Sequence, residues 1–211
     1  MPGEFVFAYG SLVRDLAALT NVVARDGATE GKLDAIQPRP ARLRDHRRAW
    51  NVAMDNALTL PGYKYYLDAR DGSRPEVHVA FLNLLAAPGH VVNGMLVPVE
   101  ADQLSALDRR ERNYLRHEVT ELSETGGGLG SESESGAAAT PARVWTYYGR
   151  PEACRRFEDG RRAGCVVVDQ AYLENVRAGF AALAADGLAE FERSTEPHGC
   201  RVLALTRVEV G

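Results

Sequence analysis

One acid in the chain stands where an acid is costly. The segment Glu100–Glu118 (EADQLSALDRRERNYLRHE) has helical spacing, with Leu104 and Leu107 on its buried face and Asp102 placed to cap it. At about 100° per residue, Leu107 lies roughly 60° behind Leu104 and Glu111 roughly 20° behind it. Glu111 therefore projects between the two leucines, while Asp108, Arg109, Arg110 and Arg112 point elsewhere. Two readings follow. In one, the carboxyl sits at the helix end and reaches solvent or an arginine. In the other, it is buried beside a cavity with a raised pKa, where it serves as a general acid or base near neutrality. Periodicity alone leaves both open.

A second place with chemical potential is Tyr9-Gly10-Ser11-Leu12, where an apolar run, Phe5–Tyr9, meets a turn. A strand entering a helical turn leaves backbone amides unpaired. Such amides bind a carboxylate or a developing oxyanion, and Gly10 lets backbone approach a ligand closely. The same pattern is also an ordinary strand–helix junction capped by Ser11. Ser11 is a poor candidate for a nucleophile elbow, because the glycine needed two residues later is Val13. His46, His78, His90, His117 and His198 show no triad spacing. Cys154, Cys165 and Cys200 are odd in number and form no CxxC pair, which argues against a disulfide framework or zinc knuckle.

The elements that must hold these residues are legible in part. Phe5–Tyr9 reads as a buried strand, and Leu12, Leu16, Leu19 and Val23 as a short amphipathic segment. Residues 38–48 alternate like a strand and carry Arg39, Arg42, Arg44, Arg47 and Arg48 against Asp45. This is a solvated sheet face or, alternatively, an anion-binding or nucleic-acid patch. Residues 77–99 read as two strands parted by a Pro88–Gly89 turn, with a bulge or close backbone approach at Gly94. Residues 123–141, rich in glycine, serine, alanine and glutamate, read as a flexible loop joining paired strands at Val119–Leu122 and Val144–Tyr148. Cys165–Val168 reads as a strand. Asp169 is placed to cap a helix with apolar positions Tyr172, Val176, Phe180 and Leu183, which Gly187 ends. A short helix, Leu188–Arg193, and a closing strand, Val202–Val210, follow.

Composition bounds the function. The 211 residues are 45% apolar and 26% charged, globular values with room for one sizeable core. The net charge of −4 argues against a general nucleic-acid binder. Of 25 basic residues only Lys32 and Lys64 are lysine, so arginine counts carry little weight. The first residues lack the basic and apolar regions of a signal peptide, and no run reaches about 18 apolar residues. A cytoplasmic protein without membrane contact is expected.

Taken together, two motifs carry a resemblance. Phe5–Leu12 (FVFAYGSL), followed about a hundred residues later by Leu107–Val119 (LDRRERNYLRHEV), resembles the gamma-glutamylcyclotransferase-like superfamily. That group includes gamma-glutamyl cyclotransferases, ChaC-type enzymes and gamma-glutamylamine cyclotransferases. Its members open with a strand ending in Tyr-Gly-Ser or Tyr-Gly-Thr. A hydrophobic-x-Gly strand follows, and then a helix ending in Leu-Asp-x-x-Glu with an aromatic and a basic residue beyond. Here those parts are Tyr9–Leu12, Val92–Leu96, Leu107–Glu111, Tyr114 and Arg116; Val144–Tyr147 resembles the tyrosine-bearing strand. The chain departs from the pattern in its long 123–141 loop.

The resemblance implies a single α+β domain over residues 1–211, its mixed β-sheet curled into a small barrel with flanking helices. It implies a cofactor-independent enzyme acting on a small gamma-glutamyl compound, with neither metal nor nucleic acid. The substrate's alpha-amino group attacks its own gamma-carbonyl and releases 5-oxoproline and an amine. Nucleophile and electrophile are already tethered, so the protein has to fold the substrate and move protons. Glu111 is then the acid/base, Tyr9, Gly10, Ser11 and Leu12 the substrate cradle, and Tyr114 and Tyr147 pocket walls or hydroxyl donors. A binding module without catalysis on the same fold is the alternative.

Overall fold

The computed structural model describes residues 4–15, 38–120, 122–124 and 143–211. Ten strands and four helices follow in order: β1 (Glu4–Ala8), β2 (Arg39–Asp55), β3 (Lys64–Asp68), β4 (His78–Val99), α1 (Ala101–Arg110), β5 (Tyr114–Glu118), β6 (Leu122–Glu124), β7 (Arg143–Gly149), α2 (Pro151–Arg162), β8 (Val166–Asp169), α3 (Gln170–Leu183), α4 (Gly187–Arg193), β9 (Arg201–Leu203) and β10 (Leu205–Glu209). The architecture is mixed α+β. The expected apolar positions Leu16, Leu19 and Val23 lie outside the described residues, as does 125–141 of the expected loop. Its first two residues, Ser123 and Glu124, are strand residues of β6, paired with Arg42 and Ala41.

The main sheet has the strand order β5-β7-β1-β4-β2-β6, with β8 joined to β4 and β9 to β8. Its spine is β4. The continuous strand replaces the two expected strands, because Pro88–Gly89 is a bulge and not a turn. Register passes from Arg44 opposite Val91 to His46 opposite Ala86, so Ala87–His90 are spent against Asp45 alone. Gly89 takes φ 80° and Asp45 φ 59°, and the Gly89 amide donates to Asp45 Oδ1 at 2.8 Å. The partner strand β2 continues past the bulge, so the chain has no reason to reverse.

Gly94 is the expected close approach. A Cβ there would lie 2.4 Å from the carbonyl oxygen of Ala8 and 2.6 Å from the Phe7 ring. This contact brings β4 hard against β1, where Ala8 pairs with Met95. β1, the strand that delivers Tyr9–Leu12, is thus clamped by β4 on one side and by parallel β7 on the other.

Three further boundaries differ from the sequence reading. Residue 100, not Asp102, is the α1 N-cap: the Glu100 amide donates to the Gln103 side chain at 2.8 Å, and Asp102 sits in the first turn. The partner of β7 is Tyr114–Glu118 rather than Val119–Leu122, because the chain reverses directly after Glu111. The closing run splits at Ala204. β9 stays with β8 in the main sheet, and β10 leaves to pair with β3 in a two-stranded ribbon. Asp169 caps α3 as its position predicts, accepting from the amides of Ala171 and Tyr172.

Candidate functional site

The end of α1 sets the position of Glu111. The buried Leu104 and Leu107 hold the helix on the core. Glu111 is the residue just beyond it, with φ −86° and ψ 48°; its amide donates to the Leu107 carbonyl, and its carbonyl accepts from the Tyr114 amide. The side chain therefore leaves the helix at the point where the chain turns into β5. Only 17% of it is exposed. It lines a cavity of about 670 Å³.

Burial pushes the Glu111 carboxyl above its ordinary value of 4.5. Arg110 and Lys64 oppose that shift, and Asp15 reinforces it. Arg110 is the nearest cation, with Nε 3.4 Å from Oε1, and its guanidinium also donates to Asp15. Desolvation outweighs the cations, as expected for a carboxyl walled in by Tyr63, Phe81, Tyr114 and Tyr172.

A raised carboxyl has a stability consequence. The folded protein keeps a proton that the unfolded chain releases near pH 4.5, so stability falls as pH rises through the folded pKa. The Glu111→Gln variant is expected to unfold at a higher temperature than the parent at pH 7.5, with the two converging towards pH 4.5. Thermal unfolding across that range checks this; a variant less stable at pH 7.5 would contradict it.

The structure brings three of the sequence-derived site residues to this cavity: Ser11, Glu111 and Tyr114. Ser11 arrives on the turn after β1, where Val13 donates to Gly10 and Arg14 and Asp15 donate to Ser11. Tyr114 closes one wall, its hydroxyl donating to the Leu82 carbonyl at 2.7 Å. Gly10 lies just behind, and a Cβ there would come within 3.5 Å of the Tyr172 hydroxyl. Tyr9, Leu12 and Tyr147 are core residues behind the turn. The Tyr9 hydroxyl donates to the Tyr147 carbonyl at 2.6 Å, and the Tyr147 hydroxyl donates to Asp108 Oδ1 at 2.9 Å. None of the three is part of the cavity lining.

Two features escaped sequence reasoning. The first is the ribbon β3–β10. Register places Glu209 opposite Lys64, Arg207 opposite Tyr66 and Leu205 opposite Asp68. Alternation then puts Lys64, Tyr66, Leu205, Arg207 and Glu209 on one face, and all five line the cavity. Burial, with the Arg207 charge, pulls the Lys64 ammonium down to about 8. Burial likewise pushes the Tyr63 hydroxyl up to about 12.

The second is Arg48, which belongs to the arginine run expected to be a solvated or anion-binding face. It is fully buried. Nε donates to the Tyr9 carbonyl at 2.9 Å, Nη1 to Ser194 Oγ at 2.7 Å and Nη2 to Asn93 Oδ1 at 2.9 Å. Nη2 also donates to the Asn93 carbonyl. The guanidinium lies over the rings of Phe180 and Phe191, 4.7 and 5.1 Å from their centroids. Burial lowers its pKa to about 9, so it remains charged at neutral pH. Arg42, from the same run, is bound by Glu190 at 2.6 Å. Arg42 and Arg48 thus face α4, and Arg48 fastens the Tyr9–Leu12 turn to the C-terminal third, while Arg44 and Asp45 stay exposed as a solvated face would.

Among the described residues, no group of three or more histidines, cysteines and acids is placed to hold a metal ion. No helix of the described residues is long and apolar enough to cross a membrane.

No protein-family model matches the chain, and no curated protein matches it. Solved structures do. The chain is similar to a gamma-glutamyl cyclotransferase at 14% identity and a TM-score of 0.46, over 94% of this chain and 92% of that one. An uncharacterized protein from Homo sapiens is similar at 16% identity and a TM-score of 0.38, covering 75% and 78% of the two chains. A protein from Arabidopsis thaliana is similar at 18% identity and a TM-score of 0.37, covering 71% and 73%.

Proposed function

We propose that the protein is a gamma-glutamyl cyclotransferase-type enzyme. It would release 5-oxoproline from a small gamma-glutamyl compound, with Glu111 as general acid/base. The observation that carries this reading is the pairing of Glu111 with Ser11. A carboxyl raised by burial shares one cavity with the turn of the YGSL motif.

The chemistry follows from the parts. At neutral pH the substrate's alpha-amino group is an ammonium, and its lone pair is unavailable. Glu111 takes a proton from it, and the freed nitrogen attacks the gamma-carbonyl carbon of the same molecule. A C–N bond forms as the carbonyl oxygen becomes an oxyanion. The opening amides of the Tyr9–Leu12 turn would receive that charge. The oxyanion then collapses, and the original amide C–N bond breaks as Glu111 gives its proton to the leaving nitrogen. The freed carboxylate takes the second proton from the ring nitrogen, which leaves a neutral lactam, and that proton departs on the released amine. An unperturbed carboxyl would be too weak a base for the first step, which is why its burial matters.

Tyr9, Gly10 and Leu12 would act in this scheme through the backbone they position, Tyr114 as a wall, and Tyr147 by holding Tyr9 and Asp108. A panel of glutathione, gamma-glutamyl amino acids and gamma-glutamyl amines, followed by 5-oxoproline release, tests the reading. Turnover of at least one class is expected. No release from any class would leave the binding-module alternative in its place.

A further inference from the structure

The cavity holds a cation for which the proposed proton transfers have no use. Lys64 Nζ projects from β3 into the cavity and rests against aromatic faces, 4.8 Å from the Phe81 centroid, 5.7 Å from Tyr63 and 5.9 Å from Tyr66. The other charges around it are largely engaged. Arg207 Nη2 is 2.5 Å from Glu209 Oε1, Asp15 is bound by Arg110, and Asp169 accepts from the amides that open α3. Among the described residues no carboxylate lies within the 4.0 Å of an ion pair with Lys64. Glu111 nevertheless feels it, and each lies in the other's field. Glu209, opposite Lys64 in the ribbon, is paired with Arg207, so a half-buried ammonium without an ion-pair partner shares the cavity with a buried carboxyl, an arrangement that a bound anion would complete.

We infer that Lys64 is the anchor for the alpha-carboxylate of the substrate, so that Lys64 and Glu111 together grip the glutamyl zwitterion. This rests on the reading of the function given above and narrows it. An alpha-amino acid carries its ammonium and carboxylate on one carbon, a few ångströms apart. With the ammonium at Glu111, the carboxylate is the group left to meet a cation of the same cavity that lies beyond ion-pair distance of Glu111. The assignment leaves the amides of the Tyr9–Leu12 turn for the carbonyl oxygen rather than the carboxylate. It also makes recognition independent of the leaving group. Arg207 also lines the cavity, but its guanidinium is already paired with Glu209.

Matched ligands test it. Gamma-glutamylalanine and gamma-glutamylethylamine are each compared with the 4-aminobutyryl compound that lacks only the alpha-carboxylate. Binding is measured to the Glu111→Gln protein with Lys64 intact and with Lys64→Met or Lys64→Arg added. Turnover is measured in the same Lys64 series with Glu111 intact. With Lys64 present, loss of the alpha-carboxylate is expected to weaken binding at least about tenfold, as for a charge-assisted hydrogen bond. In Lys64→Met that difference collapses, whatever the leaving group, and Lys64→Arg keeps part of it. A difference that survives in Lys64→Met overturns the assignment. So does a Lys64 effect that follows the alanine carboxylate instead, or failure of both gamma-glutamyl ligands to bind. Lys64-dependent binding without 5-oxoproline from any substrate would sink the proposed reaction and leave the carboxylate site standing. Thermal midpoints identify a variant that has merely unfolded, and Lys64→Gln then replaces it.

Discussion

Glu111→Gln is expected to lower turnover by about 10²–10⁴-fold, the range that a positioned general acid or base contributes. Glutamine keeps the size and the hydrogen-bonding capacity of the side chain but cannot take a proton from the alpha-ammonium. Because the parent carboxyl is raised by burial, the parent's kcat/KM should climb with pH through an apparent pKa above 4.5. Below that value the base is protonated and idle. The residual activity of the variant should lack this limb. KM should change less than kcat: the variant loses the ion pair to the substrate's ammonium, but the walls Tyr63, Phe81 and Tyr114 and the cation Lys64 are untouched. A variant that keeps most of its activity, or keeps the acid limb, would remove Glu111 from the mechanism.

The second large effect belongs to Arg48. Replacing it by methionine preserves much of the packing against Phe180 and Phe191 but strips the donors from the carbonyls of Tyr9 and Asn93. A buried acceptor left without a donor costs about 1–3 kcal/mol. Removing a desolvated charge returns part of that. A net loss of about 2–4 kcal/mol is expected, or about 5–15 °C in the unfolding midpoint of a chain of this size. Below the new midpoint, activity should also fall, because the Tyr9 carbonyl is the tether of the turn that carries Ser11. Calorimetry and 5-oxoproline release on the same preparation check both halves. An unchanged midpoint would mean that Arg48 is not the fastener its geometry makes it.

The two residues differ in how far sequence discloses them. Glu111 shows through because helical periodicity is local: Leu104, Leu107 and the acid fall within eight positions. Burial then decides between a solvent-reaching and a cavity-facing acid, and that depends on walls supplied by β3, β4 and α3, which no local pattern contains. Arg48 looks like one more member of a charged strand, since nothing nearby in sequence reveals that α4 will cover it. Lys64 is harder still. Its strand is five residues long, and its ribbon partner lies some 140 residues away. Pro88–Gly89 is an opposite case. The local turn signal is real, and both the positive φ of Gly89 and the extra residues are present. Pairing with β2 on both sides nevertheless converts an expected reversal into a bulge. The order of strand, turn, glycine approach and helix that carries the family resemblance is legible throughout, because each part is a short contiguous motif.

The central claim is that the gamma-glutamyl group leaves by cyclising onto its own amine. Product identity tests it most directly. NMR of the protein incubated with a gamma-glutamyl compound that it consumes should show 5-oxoproline and free amine appearing together in equal amounts, with no glutamate. Glutamate in place of 5-oxoproline would mean that water, not the substrate's own amine, is the nucleophile, and would contradict the account.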